Sequence, residues 1–122
     1  MKNLFLSVAL LASFSAFAEV EIKLMTEDND SYPFNMKDKS GIDFMLLDMA
    51  AKKVGVKLSY TLVPWDRCLS TMQAGETDGC FPASFKEKRM EQGEYPMNGA
   101  KADDSKRLHN SSFSLFVASA DA

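Results

Sequence analysis

The sequence predicts an α/β domain: a largely parallel sheet in βαβαβ order, flanked by helices. Three observations point there. Two segments with the two-residue alternation of strands, VEIKLM from Val20 and VKLSYTLV from Val56, enclose a segment of helical period, Ile42 to Val54. A second helix-like segment, Asp66 to Ala74, is followed by a third strand-like one that begins Asp78-Gly79-Cys80-Phe81. Gly41, Gly55, Pro64 and Gly75 punctuate the junctions, where they interrupt regular backbone pairing. Strands that alternate with helices at this spacing lie side by side and are joined by right-handed crossovers.

In the first strand Val20, Ile22 and Leu24 share a face. The stretch that follows, TEDNDSYPFNMKDKSG, is rich in Asp, Asn and Ser and reads as a loop that closes at Gly41. In the first helix, apolar residues at 42, 45, 46, 49, 50 and 54 have amphipathic spacing. Lys52 and Lys53 suit the negative end of its dipole, and Gly55 suits the position just past its end. Val56 to Val63 is the second strand, ended by Pro64. The second helix places Leu69 and Met72 three apart on its inner face and stops at Gly75. A short helical turn is expected near Lys86 to Gln92, and a later strand over Ser112 to Val117. Pro96 to Asn110 reads as a loop or linker.

The 122 residues, 46% hydrophobic and 25% charged, are too apolar for a disordered chain and suit one small domain. Residues 1–18 are expected to be a cleaved signal peptide. Lys2 precedes an apolar run from Leu4 to Phe17, and Ala16-Phe17-Ala18 is a small-residue cleavage site. That run is shorter than the roughly 20 residues a membrane span needs. No cysteine follows the cut, so a lipid anchor is not expected. The mature chain, residues 19–122, is therefore read as exported to the periplasm.

Its charge is negative, −3 with Lys2 and −4 without it, and KEKR at Lys86 to Arg89 is the densest basic run. Nucleic acid is disfavoured as a partner, because neutralising its backbone takes clustered positive charge. Cys68 and Cys80 are disulfide candidates in an exported chain, since a helix packed on the next strand can bring their Cα atoms within about 7 Å. The other reading is a pair of buried free thiols. The spacing is not CxxC, and the lone His109 supplies no metal set with them, so neither a metal nor another cofactor is expected.

Ligands of open α/β sheets bind beyond the carboxyl ends of the strands. The loops there carry Tyr32-Pro33-Phe34, then Trp65, then Ser84 and Arg89. Two aromatic walls, a hydroxyl and a guanidinium suit a small zwitterion or carboxylate, which Arg89 would hold through paired hydrogen bonds. Each residue also has a plain structural reading: Trp65 as a helix-start packing residue, Arg89 as a solvated charge, Tyr32 as a turn aromatic and Ser84 as a cap. Catalysis finds no support. The sequence has no glycine-rich phosphate loop, no HExxH, no GxSxG and no carboxylate pair spaced for acid–base work.

Taken together, the Tyr-Pro-Phe loop, Gly41-Ile42-Asp43-Phe44 opening one helix, Pro64-Trp65 opening another, Gly75-Glu76-Thr77-Asp78-Gly79, and Ser84 five residues before Arg89 resemble the family 3 periplasmic solute-binding proteins of ABC importers. The resemblance implies the first, N-terminal lobe of a two-lobed, hinged protein with the periplasmic binding protein-like type II fold. Such a protein closes on an amino acid or related solute and delivers it to an inner-membrane permease. It further implies Tyr32 and Trp65 as pocket walls, Ser84 as a holder of the ligand's amino group and Arg89 as the carboxylate anchor. The chain departs from the family in lacking a residue between Tyr32 and Pro33, in placing Lys86 where a threonine is usual and in ending at Ala122, near the crossing to the second lobe. Two other readings remain open: a ligand-sensing module of a receptor or enzyme, and a truncated lobe that is non-functional or acts by association through the face its missing partner would cover.

Overall fold

The computed structural model describes residues 19–112 and Ser114. Its sheet has three parallel strands, β1 (Glu21–Glu27), β2 (Lys57–Val63) and β3 (Gly79–Phe81), in the spatial order β2-β1-β3. Helix α1 (Ile42–Val54) joins β1 to β2, and helix α2 (Trp65–Gln73) joins β2 to β3. The expected βαβαβ order is the one that folds. A 3-10 turn at Glu87–Glu91 comes next, then an antiparallel hairpin of β4 (Met97–Asn98) and β5 (Lys101–Ala102), then a second 3-10 turn at Asp104–Lys106. The hairpin stands within the stretch read from composition as loop or linker, its turn passing through Gly99 at φ 64. The expected signal peptide, and the expected strand over Ser112 to Val117 apart from Ser112 and Ser114, lie outside the described residues.

The register shows which helix covers which side. Residues paired laterally in a parallel ladder point the same way. Leu24 pairs with Tyr60 and Gly79, and Thr26 with Phe81. Onto this side α1 lowers Phe44, whose ring meets Tyr60 at 5.0 Å and Phe81 at 5.3 Å, both edge-on. Met25 and Cys80 pair on the opposite side. There α2 lies, with fully buried Cys68 disulfide-bonded to Cys80 across a Cα–Cα distance of 6.1 Å. The two crossovers, β1 to β2 and β2 to β3, thus pass over opposite faces of the sheet, on either side of the central strand β1.

One face is reversed relative to the amphipathic spacing. The stripe of Ile42, Met45, Leu46 and Met49 looks outward, with Met45 63% and Met49 66% exposed. Asp43, Phe44 and Ala51 face in. Helix α1 is apolar around most of its circumference, so periodicity does not choose a side. Docking of its first turn does. The N–H groups of Ile42 and Asp43 donate to the carbonyls of Pro33 and Phe34, each at 3.0 Å, and that turns Phe44 into the aromatic cluster. Gly41 permits the docking: its φ is 114, and a Cβ there would stand against the Phe34 carbonyl.

The Gly75-Glu76-Thr77-Asp78-Gly79 segment fixes β3 to β1. The Thr77 hydroxyl and the Asp78 N–H donate to the Lys23 carbonyl, at 2.8 and 2.9 Å, and the Lys23 N–H donates to Asp78 Oδ2 at 2.7 Å. Its side chains therefore tie strands together. Among the described residues no helix is long and apolar enough to cross a membrane.

Candidate functional site

Beyond the end of β3 a cavity of about 500 Å³ opens, lined by Phe81, Ser84, Arg89, Tyr95, Asp103 and His109 among others. Two walls form it. The segment after β3 carries Ser84, Arg89 and Tyr95, and the segment after the hairpin carries Asp103 and His109.

The first wall is assembled around one carbonyl. Arg89 Nη1 donates to the Ser84 oxygen at 2.9 Å, and the Tyr95 hydroxyl donates to the same oxygen at 2.8 Å. The Arg89 guanidinium lies 5.2 Å from the centroid of the Trp65 ring, within cation–π range. Tyr95 is steadied in turn by edge-on contact with Phe85 at 5.3 Å. The 3-10 turn that bears Arg89 begins just after Lys86, whose carbonyl accepts the Arg89 N–H at 2.9 Å. Backbone and ring together hold the guanidinium at the cavity.

The second wall carries both signs of charge. Lys106 Nζ is 3.4 Å from Asp103 Oδ2, and Arg107 Nη2 is 3.3 Å from Asp104 Oδ2. The Ser105 hydroxyl and N–H both donate to Asp103 Oδ1, holding that carboxyl below its ordinary value of 3.8. The two cations of this wall are thus neutralised by neighbours, whereas Arg89 makes no ion pair among the described residues. His109 belongs to the same wall. Its ring stacks on Phe34 at 4.0 Å, and its Nδ1 lies 2.7 Å from Oδ1 of Asp43. Asp43, in the first turn of α1, is 0% exposed, and its Oδ2 has no partner among the described residues.

Of the four residues singled out from the sequence, Ser84 and Arg89 line the cavity together. Trp65 is outside the cavity lining and supports Arg89 through its ring, and its Nε1 is buried without a hydrogen-bond partner among the described residues. Tyr32 stands apart, 84% exposed and outside the cavity lining. The fifth expectation, a Cys68–Cys80 bridge, is present. Tyr95 and His109 are the residues that sequence reasoning missed. Tyr95 lies in a Gly-Glu-Tyr-Pro-Met segment that was not read as part of the site, and His109 sat in a stretch read as irregular. Among the described residues no group of three or more His, Cys, Asp and Glu side chains is placed to hold a metal ion.

The family described as bacterial extracellular solute-binding proteins, family 3, matches residues 22–97, a span that includes all of the three-stranded sheet but Glu21, together with Trp65, Ser84, Arg89 and Tyr95. No curated protein matches the sequence. Among solved structures, an ancestral cationic amino acid solute binding protein is similar at 28% identity and a TM-score of 0.47. That alignment covers 57% of this chain and 33% of the other, so the chain spans about a third of its length.

Proposed function

The chain belongs to the bacterial extracellular solute-binding proteins, family 3, and from that premise we propose that its cavity takes a small polar solute, an amino acid or related carboxylate, in the periplasm for delivery to an ABC-type permease. The observation that carries this reading is Arg89. It is a guanidinium at a cavity of about 500 Å³, oriented by Ser84 and Trp65 and without an ion-pair partner among the described residues. A planar fork of donors at a cavity wall is suited to a carboxylate arriving from solution. The cavity is of the size that encloses small molecules, and Phe81, Phe85 and Tyr95 in its lining offer apolar contact. The Ser84 hydroxyl, at the cavity and without a hydrogen bond among the described residues, is placed to receive a second polar group. Binding without turnover is the reading that this set of groups favours.

Calorimetric titration of the purified full-length protein with each of the twenty standard L-amino acids tests it. At least one binds, and Arg89→Ala weakens that binding by a factor of about 10 to 100, the cost of a lost charge-assisted hydrogen bond. Equal affinity in the variant removes Arg89 as the anchor.

A further inference from the structure

The chain's single histidine lines the same cavity as Arg89 and lies beyond the residues that match the family. We propose that His109 is a second solute-contacting residue, presenting Nε2 as a hydrogen-bond acceptor to an N–H or O–H group of the solute whose carboxylate Arg89 holds. The inference rests on the carboxylate-binding reading of the cavity given above.

Three contacts determine what the ring can offer. Asp43 Oδ1 lies 2.7 Å from Nδ1. A carboxylate only accepts, so Nδ1 carries the hydrogen, and in the neutral ring Nε2 is left as a bare acceptor. The two ring nitrogens point in divergent directions. Nδ1 is turned toward a carboxylate that is 0% exposed, and Nε2 is not among the buried, unpartnered side-chain atoms of the described residues. Phe34 fixes the plane, stacked at 4.0 Å with 16° between the rings. The side chain keeps 23% of its surface open, and the residue lines the cavity. The tautomer of the neutral ring and the ring plane are thus set before a solute arrives, the kind of preorganisation that lowers the entropic cost of binding.

The complementary solute carries an N–H or O–H donor some distance from its carboxylate. An amino acid's ammonium, or an amide or hydroxyl on its side chain, meets that description. His109 would then sort solutes by the presence of that donor, because an unpaired acceptor at a closed site is costly. Asp43 acts through His109 and touches no solute; it is a positioning residue.

Nitrogen NMR on full-length, ¹⁵N-labelled protein tests the proposal, because one histidine gives one pair of ring signals. In the free protein the ring is expected in the Nδ1–H form. Whichever of the twenty standard L-amino acids binds should shift the Nε2 signal and leave Nδ1 nearly still. His109→Asn keeps an N–H for Asp43 and removes the Nε2 acceptor. It should weaken that amino acid about tenfold, as the loss of one hydrogen bond does, with the thermal midpoint little changed. A silent Nε2 together with undiminished affinity in His109→Asn overturns the role of His109, while loss of binding in Arg89→Ala keeps the carboxylate reading standing. Absence of binding by all twenty amino acids overturns both. If His109→Asn does not fold, the Nε2 response of the unaltered protein decides alone.

Discussion

Tyr60 joins two kinds of interaction in one side chain. Its ring packs edge-on against Phe44 and Phe81, and its hydroxyl donates to Asp48 Oδ1 at 2.7 Å. Burial first, then the hydrogen bond and charge of Asp48, push the phenol well above its ordinary value of 10.0. A folded-state value raised above the unfolded one favours the neutral phenol. Its contribution to stability is therefore complete below about pH 10 and is lost as the pH climbs through the folded value. Subtracting the phenolate absorbance of Tyr60→Phe from that of the unaltered protein should isolate a transition with its midpoint above 10.0. A midpoint at or below that value would show that Asp48 does not hold the hydroxyl in solution. At the residue scale some of the site was legible in the sequence and some was not. Arg89 stood out as a guanidinium in a polar loop beyond a strand, and Ser84 lay close to it. His109 meets Asp43 across 66 positions, and a contact that long leaves no trace in local pattern.

Helix α1 shows how far pattern reaches for an element. Its ends were legible, because Gly41 and Gly55 bound an apolar run and Gly55 adopts the left-handed conformation that caps a helix, with φ 76. Its buried face was not, because residues 42 to 51 include apolar side chains on nearly every side, and tertiary docking made the choice. Trp65, expected as a wall, supports Arg89 from outside the cavity lining. Periodicity gives a helix its axis and leaves its rotation to the neighbours. Gly41 is where the rotation of α1 is decided. Gly41→Ala puts a Cβ against the Phe34 carbonyl at a φ of 114 that L side chains rarely adopt. It should cost about 2 to 4 kcal/mol in urea unfolding, the range for combined backbone strain and overpacking. A cost below about 0.5 kcal/mol would mean that the loop gives way and α1 is not held there.

For the molecule as a whole, the Cys68–Cys80 bridge is the covalent link between the layer of α2 and the edge strand β3. Only three residues of β3 pair with β1, so few backbone hydrogen bonds hold that edge. Removing both sulfurs, by Cys68→Ser with Cys80→Ser, should lower stability by about 3 kcal/mol on the chain-entropy account of a short loop. The segment with Ser84 and Arg89 leaves directly from β3, so solute affinity should fall with it. Identical urea midpoints with and without reductant would show that the bridge adds nothing. The strand order β2-β1-β3 has a further consequence, for the time before the fold exists. A polypeptide that emerges N-terminus first from a ribosome or a translocation pore exposes both edges of β1 while its partners are still inside. Residue 63 must clear the exit before one ladder can close, and residue 81 before the other. During that interval β1 is a bare, two-edged strand, the state most open to pairing with another chain. Glu21, Lys23 and Glu27, exposed along it, give the nascent strand charges that oppose such pairing.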